Sequence, residues 1–224
     1  MRLALIIICA VTTVTTACKL EASSGTQNVN TNGNQANVST RVSTQDTQTN
    51  CSLTMTAAPV LEGLKLGMTT DEVLATLPGS KDDPDVRTQL ARPRSPLGVS
   101  DLGIHVDKLQ PKEKFSGINH LSFILLDGRV STINIGYNGP AYPHVDQFVS
   151  KFVRGTNLPP VDQWQAYVGM DNQLKILTCK DFEVRVFAGG KGGNLNYVLA
   201  KDLEAEKKLR EREKKAEEKA SPTP

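Results

Sequence analysis

The three histidines are the first residues to test for chemistry. His105 and His120 fall on segments that read as strands, and His144 begins a predicted helix. A hydrolytic triad needs a nucleophile, a base and an orienting acid brought together. No serine or cysteine sits in a nucleophile motif, and His144 and Asp146, two positions apart, do not face each other on a helix. Metal chemistry fares no better, with no CxxC and no histidines paired at ligand spacing. No catalytic residue, metal or cofactor is assigned; a triad assembled from distant residues is the alternative.

Two glycine-rich stretches invite comparison with phosphate cradles. In GLKLGMTTDEVLATLPG, residues 63–79, Gly63 and Gly67 form GxxxG, but Met68-Thr69 follows where a phosphate loop carries Lys-Ser or Lys-Thr. GGKGG, residues 189–193, lies between two predicted strands with no helix after it, so it reads as a hairpin loop.

The residues left for contact chemistry are Arg92 and Arg94, with Arg87, in the proline-containing segment 80–98, and Trp164 and Tyr167. Loops carry binding residues and exposed aromatics anchor interfaces, so Arg92, Arg94, Trp164 and Tyr167 are the partner-contact candidates. The alternatives are a solvated insert for the arginines and core packing for the aromatics.

Composition narrows the partner. Lys and Arg number 26 against 24 Asp and Glu, a net charge of +2, and aromatics are 5% of residues. Neither a basic stripe nor an extended stacking surface is present, so nucleic acid is not an expected partner.

The ends of the chain differ from its middle. MRLALIIICAVTTVTTAC has one charge, Arg2, then an apolar run from Leu3 to Val11, far short of the roughly 20 residues a membrane span needs. It reads as an export signal over residues 1–17. Thr15-Thr16-Ala17-Cys18 resembles a bacterial lipobox, which would make Cys18 a lipidated N-terminus and the protein membrane-bound by that anchor alone. Plain cleavage after Ala17 is the alternative. Residues 18–50, rich in Ser, Thr, Asn and Gln, cannot bury enough surface to offset their ordering entropy and are expected to be a tether. Cys51 and Cys179 then remain for the folded part, either as a disulfide or as two separate thiols. Residues 201–224 form a charge run, expected as a solvated, fraying helix or a disordered tail.

Residues 51–200 make one domain. Thr69 and Glu72 form a capping box ahead of an apolar stripe at Val73, Leu74 and Leu77. A second helix lies in HVDQFVSKFVRG, where Val145, Phe148, Val149, Phe152 and Val153 share one face. Strands are expected near 101–107, over 118–137 as a hairpin, and at 173–179, 182–188 and 194–200. In the hairpin, Leu121, Phe123 and Leu125 can share a face with Ile133, Ile135 and Tyr137 only if a bulge or a longer loop interrupts the strict Asp127-Gly128 turn. The order implies an α+β fold: an antiparallel sheet with two helices on one face, built as two helix-plus-strands units in tandem.

Gly67-Met68-Thr69-Thr70-Asp71-Glu72-Val73 resembles the start of small envelope lipoproteins of the SmpA/OmlA type, whose fold is related to that of beta-lactamase inhibitor protein. Asp127-Gly128-Arg129-Val130 and the segment from Trp164 to Tyr167 are similar to that pattern too. The segment 80–100, a proline-rich insert, departs from it, standing where that family has a Trp-x-Tyr strand. The resemblance implies a non-catalytic, exported envelope protein that contacts another envelope or secreted protein through its sheet face or loops. The alternatives are an inhibitor of a secreted or periplasmic enzyme, and a hydrolase without a recognisable motif.

Overall fold

The computed structural model describes residues 51–167, 169–170, 173–189 and 195–220, all within one compact unit, Gln45–Pro224. The export signal, Cys18, the tether and most of GGKGG lie outside the described residues.

Helix α1 is Thr70–Thr76 and starts as its sequence demands. The Thr69 amide donates to Glu72 Oε2 at 2.7 Å, and the Glu72 amide donates back to Thr69 Oγ1 at 3.3 Å. The capping box thus uses donors that a phosphate would otherwise need. Helix α2, Pro84–Ala91, corrects the expectation of a loop across 80–98. Pro84 stands at the first helical position, where its missing N–H costs nothing, and the buried Asp83 carboxylate caps the Asp85 amide at 2.9 Å. Strand β1, Val99–Ile104, and the one-turn helix α3, Lys112–Phe115, follow.

Strands β2, Ile118–Leu126, and β3, Arg129–Asn138, form the hairpin. Asp127 and Gly128, at φ 54° and 80°, make the left-handed two-residue turn that such hairpins favour. The interruption required by the pattern is a bulge: Ile124 faces Thr132 while Leu125 faces Val130, leaving Ser131 unpaired. That extra residue puts Leu121, Phe123 and Leu125 on the same face as Ile133 and Ile135.

Helix α4, Val145–Phe152, buries Val145, Phe148 and Val149. The short β4, Gln165–Ala166, and then β5, Leu174–Thr178, β6, Phe182–Ala188, and β7, Leu195–Asp202, complete one antiparallel sheet in the order β1-β2-β3-β7-β6-β5-β4. The fold is α+β, as the alternation of patterns implies. Each half is a meander preceded by helix, and the halves meet where β3 pairs with β7. Ile135, Val198 and Val186 form one row of the inner face, and Ile133, Ala200 and Val184 the next. These share a single core with Val73, Leu74 and Leu77 of α1 and the buried residues of α4.

Cys51 and Cys179 stand at disulfide distance, with Cα atoms 4.5 Å apart. The Cys51 amide also donates to the Thr178 carbonyl at 3.2 Å. The first described residue is therefore held at the end of β5.

Helix α5, Leu203–Ala220, bears out the helix expected in this segment, but its first half is held against the domain instead of lying free in solvent. It follows β7 directly, capped by Asp202 on the Ala205 amide at 2.9 Å. Within the helix Glu206 and Arg210, four positions apart, pair at 2.6 Å. Lys208 instead reaches Asp127 in the hairpin turn at 2.7 Å, and Arg212 grips both oxygens of the same carboxylate while donating to the Leu97 carbonyl. The folded part thus extends past residue 200.

Candidate functional site

The face of the sheet turned away from the core is the candidate site. The strand pairings place its residues in rows. One row holds His120, Gly136, Tyr197, Phe187 and Leu174; the next holds Ser122, Asn134, Leu199, Arg185 and Ile176; the third holds Ile124, Thr132, Lys201, Glu183 and Thr178. Helix α5 covers the third row, where Lys201 pairs with Glu206 at 3.3 Å. The first two rows stay open. Leu174, Ile176, Phe187, Tyr197 and Leu199 are each only half-buried there, and Ile124 beside α5 is 38% exposed. A solvated sheet face normally alternates to polar residues. This one carries an aromatic pair, Phe187 and Tyr197, with ring centroids 6.4 Å apart, flanked by aliphatic side chains.

Two local features shape the patch. Gly136 leaves room beside Tyr197: a Cβ there would collide with the Asn119 carboxamide and lie 3.0 Å from the His120 Cβ. Glu183, 5% exposed, receives the Arg185 guanidinium at 2.6 Å, so one charge on the strip is already matched.

The candidates taken from the sequence fall in different places. Trp164 is 3% exposed and donates its indole N–H to the Pro159 carbonyl at 3.0 Å. It meets Phe152 edge-on and belongs to the core, which removes it from the contact candidates. Tyr167 is 46% exposed at the β4 edge of the sheet. Arg92 is exposed at the end of α2, and the exposed Arg94 guanidinium lies over Gly128 in the hairpin turn. These arginines are not in the open rows.

Other groupings carry chemistry of their own. His120 Nε2 is 2.9 Å from Ser122 Oγ, a histidine–serine pair, but it stands on the exposed sheet face and not in a cleft. The tertiary fold also brings His105 Nδ1 to 3.0 Å from Asp83 and 3.5 Å from Asp85. These three side chains could meet a cation, a grouping invisible in a sequence where His105 stands about twenty positions from the two aspartates; Asp83 is already engaged as the cap of α2.

Sequence reasoning missed most of the open face. Tyr197 and Leu199 alternate as a core strand would, yet Val198 and Ala200 face the helices instead. The available clue was that β7 is apolar on both faces. Compared with protein-family models, with curated proteins and with solved structures, the chain matches none of them.

Proposed function

We propose that this chain is an exported, lipid-anchored cell-envelope protein that works without catalysis, by docking another envelope or secreted protein on its open sheet face. One observation carries the proposal: five half-buried apolar side chains, two of them aromatic, lie in adjacent rows on the face away from the core. Contiguous apolar surface of this kind marks interaction sites, and aromatic residues are common anchors in them. The partner is a protein with an apolar centre to match Phe187 and Tyr197. The lipobox-like Cys18 and the polar tether would let the domain stand off a membrane while it binds.

Photo-crosslinking tests the docking. A crosslinkable residue at Phe187 or Tyr197 is expected to capture one protein, while the same group at exposed Gln147 on α4 captures none. Phe187→Ala/Tyr197→Ala is expected to weaken the captured pair by roughly 2 to 4 kcal/mol, about 30-fold to 1,000-fold in affinity. Equal capture at all three positions, or an unchanged affinity in the double variant, overturns the proposal. Mass spectrometry of the mature N-terminus tests the anchor: a diacylglyceryl group on Cys18 supports it, and an unmodified Cys18 refutes it.

A further inference from the structure

A concavity lies on the side of the sheet covered by α4, where β3 ends and β7 begins. Its volume is about 660 Å³, within the range of small-molecule sites. Three rings build part of its wall. Tyr142 stacks on Phe148 with centroids 5.2 Å apart, and Tyr137 meets Phe148 edge-on at 6.0 Å. Lys151 of α4 and Arg154 just beyond it also line the pocket, both exposed and neither with a carboxylate partner among the described residues. Against these two cations the lining holds one acid, Glu62.

Asn196, also in the lining, is 1% exposed. Its amide nitrogen donates to the Pro140 carbonyl at 3.1 Å, which fixes the orientation of the group. Its Oδ1 accepts nothing, alone among the buried side-chain polar atoms of the described residues. Buried acceptors without a donor are costly and rare, so one in the wall of a pocket points to a missing donor. Tyr137 lines the same wall, its phenol pushed above the ordinary range first by burial and then by the Glu62 charge.

We propose that this pocket binds a small organic anion with an aromatic or aliphatic body and one hydrogen-bond donor. The three rings pack against the body, Lys151 and Arg154 hold the anionic group, and Asn196 Oδ1 accepts from the donor. The site is separate from the open sheet face and does not depend on the docking function.

Anilinonaphthalene sulfonate is a suitable probe, since it combines a naphthalene body, an N–H donor and a sulfonate. N-phenyl-naphthylamine is the same body and donor without the charge. Fluorescence titration of the purified chain is expected to show one saturable site that prefers the sulfonate by about 10-fold or more. Lys151→Ala/Arg154→Ala should abolish that preference and leave the neutral amine bound as before. Both substitutions are at exposed positions, so loss of folding does not confuse the result. Phe187→Ala/Tyr197→Ala should leave both probes unaffected, which separates this pocket from the open face. A preference that survives removal of both cations, binding lost with the open-face variant, or binding of neither probe overturns the proposal.

Discussion

Breaking the link between Cys51 and Cys179 should weaken the domain more than any single surface change. The two residues are 128 positions apart. In the chain-entropy relation, closing a loop of that length lowers the entropy of the unfolded chain by roughly 16 to 17 cal/mol/K, or about 5 kcal/mol at 25 °C. Residual structure in the unfolded chain reduces this, so about 3 to 5 kcal/mol is expected. With a urea slope near 2 kcal/mol/M, the unfolding midpoint should fall by roughly 2 M on reduction. The melting temperature should fall by roughly 6 to 20 °C. The assay is urea unfolding of the air-oxidised protein with and without a phosphine reductant, beside Cys51→Ala/Cys179→Ala. The reduced protein keeps both sulfurs in place, so its difference from the oxidised form isolates the bond. Its difference from the double variant isolates the packing of Cys179, which is fully buried. A non-reducing peptide map should join the two cysteine-containing peptides. Midpoints that agree within about 0.5 M, or a map with the peptides unlinked, refute the reasoning.

Further predictions rest on other elements. Asp127 is held far below the usual carboxylate range, first by its hydrogen bond to Arg212 and then by that to Lys208. Its contribution is therefore present above its ordinary value of 3.8 and is lost as pH falls below it towards the depressed folded value. Hydrogen exchange of α5 should quicken in Asp127→Asn at neutral pH, and that difference between the two proteins should shrink in strong acid; equal exchange at neutral pH would show that the helix is held by other contacts. Trp164→Ala should destabilise the domain by about 3 to 5 kcal/mol in chemical unfolding. In the parent protein the emission of this lone tryptophan should shift to the red as the domain unfolds. Gly136→Val should cost roughly 1 to 3 kcal/mol, because Asn119 and His120 must move; an unchanged midpoint would show that these two residues yield freely.

The sequence by itself determined the elements whose causes are local. The capping box at Thr69 and Glu72 involves neighbours three residues apart, and the apolar spacing of α4 repeats within two turns. The hairpin even required its own irregularity, because two apolar sets on either side of Asp127-Gly128 could not otherwise share a face. The α+β class followed from such patterns. Helix α2 escaped because the prolines around it suggested a loop, although Pro84 sits where a helix accepts proline.

Tertiary structure decided what depends on residues far apart in the chain. Period-two alternation divides a strand into two faces, but it does not say which face the helices cover. In β7 both faces are apolar, and the smaller Val198 and Ala200 went inward because they align with Ile135 and Ile133 beneath α1 and α4. Tyr197 and Leu199 were thereby left on the open face. The charged segment after residue 202 is a good helix by composition alone. That it lies across the sheet was decided by tertiary contacts, among them the Lys201–Glu206 pair and Asp127, brought within reach of Lys208 and Arg212 from more than 80 residues away. Trp164 had the composition of an anchor, and only the assembled core, with the Pro159 carbonyl waiting for its N–H, made it an interior residue.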